Sequence, residues 1–299
     1  MNNHLFEHTN ITPITQFNGW YAKREDYAYK SDYNSPTGLK VRQYIQMCQE
    51  NPDAELVVGC SADSAMQIYV AWASKKMGRK ATIFVPQRKQ KSSATQYAID
   101  MGANVIEIFP GYASVYRKHA RNYAETIGGT VRWDSKRAVH DIALQCMNLP
   151  QDIKRVIVPT GSGLVAAGIV AGLSVLKRSD VEVVAVCVSD LANYDNIMYN
   201  SYFMIDYMTR QYYDPILTPE TPNLTMKKVA GGYGSWAFKT MPDGTVLDPF
   251  YSAKAFDFVE HGDVFWVSGM RPIDSCPAEW RELFLNHAKD LMQSSPPLY

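Results

Sequence analysis

The sequence predicts a two-lobed α/β protein whose parallel sheets are wrapped by helices. Three observations carry this. Between residues 56 and 128, short apolar runs alternate with amphipathic runs of helical length, each closed by glycine. The alternation resumes from 155 to 186. At 299 residues the chain is also long enough to bury a core in each of two lobes.

In order, Thr12-Pro13-Ile14 opens an extended region, and 19–26 mixes aromatic and charged residues as a strand end leaving a core does. In 34–42 (Asn-Ser-Pro-Thr-Gly-Leu-Lys-Val-Arg), Pro36 pushes Ser35 to extended geometry and Gly38 tolerates the bend that follows. Val41, Tyr44, Ile45 and Cys48 then recur at helical spacing, which puts Lys40 at a helix start. Leu56-Val57-Val58-Gly59 reads as a buried strand, 64–77 as a helix, 81–86 as a strand, 92–101 as a helix, 105–108 as a strand and 113–127 as a helix. A further helix over about 138–147 leads to the strand 155–159, the helix 164–176 and the strand 183–186. The aromatic stretch 191–222 reads as irregular, its rings serving either helical packing or base stacking. Later come a helix over 253–260, a strand over 264–267, and a tail helix over about 277–292.

Thirty basic and thirty acidic residues cancel. No global field therefore draws nucleic acid, an anionic membrane or a strongly charged substrate, although a local patch is compatible with this balance. Neither a signal peptide nor a membrane span is legible, so the expected setting is cytoplasmic, with no membrane partner. Five cysteines without CxxC spacing argue against a disulfide frame and a zinc site, and no metal is expected.

Two stretches carry chemistry. Lys40, held near the positive end of a helix, is biased toward the free amine that a Schiff base needs; the alternative is a solvated surface lysine. Thr160-Gly161-Ser162-Gly163, between a strand and a helix, lets backbone N–H groups close on a phosphate, or is simply a tight turn that needs small residues. It matches neither a Walker loop nor a GxGxxG fingerprint.

Together these signals resemble the tryptophan-synthase-β-like, fold type II family of pyridoxal-phosphate enzymes, over most of the chain. Residues 34–42 are similar to the threonine- and cysteine-synthase pattern around the cofactor lysine, and 160–163 to the family's phosphate loop. Residues 81–86 and 101–105 resemble the stretch of the smaller lobe that follows the lysine. In the C-terminal half, 248–255 (Asp-Pro-Phe-Tyr-Ser-Ala-Lys-Ala) resembles the Asp-Pro-Val-Tyr-x-Gly-Lys-Ala of the branch with 1-aminocyclopropane-1-carboxylate deaminase and D-cysteine desulfhydrase.

The resemblance implies pyridoxal 5′-phosphate bound to Lys40, with 160–163 on its phosphate and Ser268, or failing that Ser252, at the pyridine nitrogen. Tyr251 and Tyr233 would approach the substrate, although both also read as core tyrosines. It implies a larger cofactor lobe over 1–43 and 136–299, a smaller mobile lobe over 44–135, and a homodimer. The substrate would be an amino acid, undergoing Cα deprotonation with β-elimination, deamination or β-replacement. One departure stands out. Where the family has an asparagine-containing trio for the cofactor 3′-oxygen and the substrate carboxylate, this chain has Ser64-Ala65-Met66, with Asp63 and Gln67 as the nearby polar substitutes. That departure also admits a decarboxylase or related enzyme acting on an aminoacyl group carried by a larger acceptor such as a modified nucleobase, with nucleic acid as carrier. A non-catalytic binding protein of the same fold is the remaining alternative.

Overall fold

The computed structural model describes residues 11–27, 35–127, 135–189, 192–212, 220–232 and 235–294. It divides into two compact units. One comprises Met1–Tyr27 with Asp134–Gly269, the other Ala28–Trp133 with Met270–Tyr299. The segment 28–43 and the tail from 270 thus group with the second unit, whereas the sequence reading assigned both to the larger lobe.

The first unit is built on a six-stranded sheet. Its strands are β1 (Ile14–Phe17), β2 (Trp20–Arg24), β6 (Arg155–Thr160), β7 (Glu182–Cys187), β8 (Leu224–Lys228) and β9 (Asp263–Val267), in the order β1-β2-β9-β6-β7-β8. Only β1 runs antiparallel, joined to β2 by the two-residue Asn18-Gly19 turn with Gly19 at φ 86°. Asn-Gly between apolar runs is a hairpin signal that the sequence reading passed over. The remaining neighbours are parallel, so the carboxyl ends of β2, β6, β7, β8 and β9 share one edge. In parallel sheets ligands bind at that edge. Strand β8 was also missed.

Helices α5 (Ser135–Gln145), α6 (Leu164–Val175) and α7 (Tyr194–Tyr212) pack in succession. At Gly168 a Cβ would lie 2.5 Å from Ile142 and at Gly172 2.6 Å from the Ala143 carbonyl, so α5 crosses α6 at backbone distance. Two expectations need correction here. The 191–222 stretch is not irregular over its described part, because 194–212 forms one helix with Ile197, Met204, Ile205 and Met208 facing inward. Nor are its rings all packing groups: Tyr199 is 72 % exposed and Tyr202 55 %. The helix read over 253–260 shrinks to α8 (Ser252–Ala255) and a 3-10 turn, Phe256–Phe258. Phe256 leaves the helical path to pack against Trp20 and Phe265.

The second unit holds a three-stranded parallel sheet, β3 (Leu56–Gly59), β4 (Ala81–Pro86) and β5 (Asn104–Ile108). It also holds α1 (Leu39–Glu50), α2 (Met66–Lys76), α3 (Ser93–Asp100), α4 (Ala113–Thr126) and α9 (Ala278–Ser294). All lie close to where the apolar periodicity places them. Ser92 caps α3, its Oγ accepting the Thr95 N–H at 3.1 Å. Val41, Tyr44, Ile68, Val70, Ile83 and Val85 form its larger core, and Val57 and Phe84 meet Ala120 and Ala124 of α4 in a second.

Among the described residues no helix is long and apolar enough to cross a membrane, and no group of histidine, cysteine and carboxylate side chains could hold a metal ion. All five cysteines are free and buried. Burial pushes the thiols of Cys60 and Cys146 up to about 12. An unfolded thiol ionises near 8.5, so above that pH the unfolded chain loses protons the folded one keeps, and stability falls as pH rises toward 12. A thiol reagent at pH 8 should therefore label fewer than about one cysteine in the native protein and all five in denaturant. Rapid labelling of several native cysteines would contradict this burial.

Candidate active site

In the first unit the predicted residues gather at the carboxyl edge of the sheet. Strand β6 ends at Thr160, and Gly161-Ser162-Gly163 leads into α6, with Gly163 in the left-handed region at φ 93°. A Cβ at Gly163, already at a left-handed φ, would lie 2.7 Å from Ile197, so that position requires glycine, and one at Gly161 would press on the Tyr251 ring and hydroxyl at 3.0 Å. The first N–H groups of α6 have no partner inside the helix and face the end of the strand. Ser162 is exposed, whereas Thr160 is 1 % exposed and donates its hydroxyl back to the Val158 carbonyl at 3.1 Å. Ser162 is therefore the hydroxyl on the open side of the loop. Ser189, one residue beyond Val188, donates to the Gly161 carbonyl at 2.7 Å and clasps the loop from the end of β7. A hydroxyl just past an apolar strand was the available signal, and the sequence reading did not use it.

Ser252 and Ser268, sixteen residues apart, come together with hydroxyl oxygens 2.9 Å apart. Ser252 is fully buried and also accepts the Ser268 N–H at 3.2 Å, while Ser268, directly after β9, is half-buried. Ser268 is the outward member of the pair and Ser252 its support. Asp248 shapes the turn before them, its Oδ1 accepting the N–H groups of Phe250 and Tyr251 at 3.0 and 3.1 Å. This turn holds the Tyr251 ring against Gly161. Lys254 Nζ donates to the Gly232 carbonyl at 2.6 Å, fixing the glycine pair that precedes Tyr233. Tyr233 itself lies outside the described residues.

In the second unit, Gly38 (φ 98°) precedes α1 and Lys40 is the second residue of that helix, half-buried, with Nζ 5.9 Å from the centroid of the Tyr69 ring. The turn is tied down by Thr37, whose N–H donates to the Met270 carbonyl at 2.9 Å and whose Oγ1 accepts the Met270 N–H at 2.8 Å. Cys60 follows β3 directly. Burial raises its thiol most strongly; a hydrogen bond with Ser64 and the charges of Lys40 and Arg117 pull the other way. The charge of Lys40 thus reaches the thiol that follows the carboxyl end of β3.

The trio 64–66 opens α2. Ser64 is half-buried and its Oγ accepts the Met66 N–H at 3.3 Å. The Ala65 side chain is 1 % exposed and sits in the apolar core, so this position offers a ligand only main-chain atoms. Neither polar substitute is available. Gln67 is fully buried, donates to the carbonyls of Ala62 and Ser61 at 2.6 and 3.2 Å and accepts from Thr95 at 2.9 Å. Asp63 is held in a two-pronged pair with Arg88 at 3.0 and 2.8 Å. The missing asparagine has no side-chain replacement among these neighbours.

A family model described as pyridoxal-phosphate dependent enzyme matches residues 5–237. The chain belongs to this family. Pyridoxal 5′-phosphate is therefore its cofactor. No curated protein sequence matches this pyridoxal-phosphate enzyme significantly. Solved structures do. A homologue of ACC deaminase is 18 % identical with a TM-score of 0.63, covering 90 % of this chain and 88 % of its own. The O-acetylserine dependent cystathionine beta-synthase from Helicobacter pylori is 16 % identical with a TM-score of 0.54, covering 89 % and 94 %. Threonine deaminase isoform 2 from Solanum lycopersicum is 15 % identical with a TM-score of 0.53, covering 90 % and 78 %. At these identities the likeness is one of fold. The residues of this pyridoxal-phosphate enzyme fit the cofactor's demands: a glycine-rich loop at a helix start for a phosphate, a hydroxyl pair past a strand end for a ring nitrogen, and a lysine at the head of a helix.

Proposed function

We propose that this enzyme removes the Cα proton of an amino acid through a Schiff base on Lys40 and completes β-elimination with deamination, or β-replacement. When bound, pyridoxal phosphate supplies an electron sink for the bonds at a substrate Cα. Lys40 is the residue that would hold it, and the free Lys40 amine would take the Cα proton. The N–H groups of 161–164 and the Ser162 hydroxyl take the phosphate, with Thr160 shaping the strand end.

The observation that carries the choice of reaction is the Ser268–Ser252 pair. A hydroxyl at the ring nitrogen, unlike a carboxylate, does not enforce protonation there, so negative charge at Cα is spread less effectively. Chemistry in which that charge leaves with a β substituent suits the arrangement. Tyr251, held against Gly161, is positioned to hand a proton to the leaving group; Tyr233 takes a similar role on the strength of its motif. Ser64, the Ala65 main chain and Met66 line the substrate side. Sequence resemblance alone supports a homodimer and a mobile smaller lobe.

A second reading is favoured by Ala65 together with the committed side chains of Asp63 and Gln67. Without a side-chain amide the carboxylate is gripped differently, as in a decarboxylase or an enzyme acting on an aminoacyl group carried by a larger acceptor such as a modified nucleobase. Incubation with a panel of D- and L-amino acids separates the two. Ammonia and a keto acid or, with an added thiol, a β-substituted amino acid are the expected products. Carbon dioxide, or silence with every free amino acid, would transfer the assignment to the second reading.

A further inference from the structure

We propose that the surface formed by the loops after β4 and β5 and the outer face of α4 binds single-stranded nucleic acid. Bases would stack on Phe109 and Tyr112, and phosphates would be held by Lys89, Arg117, Lys118 and Arg121. The proposal does not depend on the reaction assigned to Lys40, although a strand-borne aminoacyl group would need a surface of this kind.

Charge is the first observation. The thirty basic and thirty acidic residues cancel over the whole chain, yet 87–123 holds six basic residues, Arg88, Lys89, Lys91, Arg117, Lys118 and Arg121, against only Asp100 and Glu107. All six are exposed. Arg88 is paired with Asp63 and Lys91 with Glu107. Among the described residues the other four have no ion-pair or hydrogen-bond partner, so their charges face solvent uncompensated. The three on α4 lie away from its buried residues Tyr116, Ala120 and Ala124.

Placement is the second. The loop after β4 lies beside the end of β5: the Gln87 N–H donates to the Ile108 carbonyl at 2.8 Å, and Lys91 Nζ reaches Glu107 at 2.8 Å. Phe109 and Tyr112 follow directly, each 86 % exposed. The turn between these rings is pinned. Tyr116, buried in α4, accepts the Gly111 N–H on its hydroxyl at 2.7 Å and donates to the Gly111 carbonyl. Rings on a slack loop would fold back onto apolar surface, whereas this turn keeps both in water.

Rings beside uncompensated cations match a polymer that alternates bases with phosphates. A duplex hides its base faces, so the partner is a single strand. A membrane fits less well, because the outward positions of α4, Ser114, Lys118, Arg121, Asn122 and Glu125, bring no apolar stripe.

The test is fluorescence anisotropy of the full-length, cofactor-loaded protein with a labelled oligothymidylate of about 20 nucleotides, long enough to cross a binding surface. A duplex, an abasic strand, an oligouridylate and phosphatidylserine vesicles are the comparators. Oligothymidylate or oligouridylate should bind at least about 5-fold more tightly than the abasic strand, the gain from one stacked base; which of the two binds better names the sugar. With four cations at about 0.7 each, log affinity should fall against log salt with a slope of about −3. Phe109→Ala and Tyr112→Ala should each weaken strand binding about 5-fold or more and leave abasic binding unchanged. Lys118→Gln combined with Arg121→Gln should bring the slope to about −1.5. All four side chains are exposed, and an unchanged melting temperature verifies that each variant is folded. Absence of strand binding at low salt, equal affinity for abasic and base-bearing strands, or ring variants that bind as the parent does would overturn the proposal. Binding to the duplex as tight as to the strand, or to vesicles in place of the strand, would overturn it equally.

Discussion

Lys40→Ala is expected to leave a folded, colourless protein with turnover reduced by at least about 10²- to 10⁴-fold, the range for losing a general base, even before the covalent anchor is counted. Lys40 is half-buried at the first turn of α1, with Nζ 5.9 Å from the centroid of the Tyr69 ring, so its truncation is expected to leave the fold intact. The measurement is the visible absorbance of protein incubated with pyridoxal phosphate, alongside thermal melting. Two other lysines are more deeply buried, and their amines donate to protein oxygens. Lys23 is fully buried, with Nζ 2.7 Å from both the Thr12 carbonyl and Asn148 Oδ1, and Lys254 donates to Gly232. Colour that persists in Lys40→Ala, with melting unchanged, would place the linkage on another lysine.

The second large effect concerns stability. Arg24 ends β2 and is fully buried, yet charged. Its Nε and Nη2 reach the two oxygens of Asp26 at 2.9 and 2.7 Å, Nη1 reaches Asp243 at 2.6 Å and Nη2 reaches Thr245 at 3.0 Å. The Tyr27 ring covers the guanidinium at 4.1 Å. Removing one partner of such a group strands a charge away from water, so Asp26→Asn should cost about 3–5 kcal/mol, seen as a fall in Tm on the order of 10 °C. A loss below about 1 kcal/mol would mean that Asp243 alone satisfies the arginine.

The same cluster sets an acid limit. Hydrogen bonds from Thr245 and Arg24 hold the Asp243 carboxyl below its ordinary value despite partial burial. Its contribution is therefore complete above the unfolded value near 3.9 and is lost as pH falls through the lower folded one. In register, Arg24 lies opposite Val267, the residue before Ser268, so the cluster also steadies the strand end that carries the proposed ring contact.

These clusters show what a linear reading can and cannot reach. The charges at 24–26 look like a strand running out into water, because nothing local announces that Asp243 and Thr245 return to meet them. Ser252 and Ser268 were legible as alternatives for one contact; that they act as a pair depends on where α8 and β9 end. Ser189 follows an unremarkable strand, and its clasp on Gly161 exists only because β6 and β7 are parallel neighbours. Gln67 and Asp63 looked like candidates for the missing asparagine until their partners Ala62, Thr95 and Arg88 were in view. Helix α7 was misjudged because its aromatic richness masked an inward stripe at 197, 204, 205 and 208.

Short-range physics determined much of this protein from sequence alone: the turn and helix that present Lys40, the glycine loop ahead of α6, and the alternation that yields parallel strands. Those features depend on φ restriction, glycine freedom and apolar period, all encoded within a few residues. Tertiary structure decided which polar groups are spent on the fold and which remain for chemistry. Hydrogen bonds and ion pairs join residues far apart in the chain, so that only packing shows Gln67 consumed by Ala62 and Thr95, and Asp63 by Arg88.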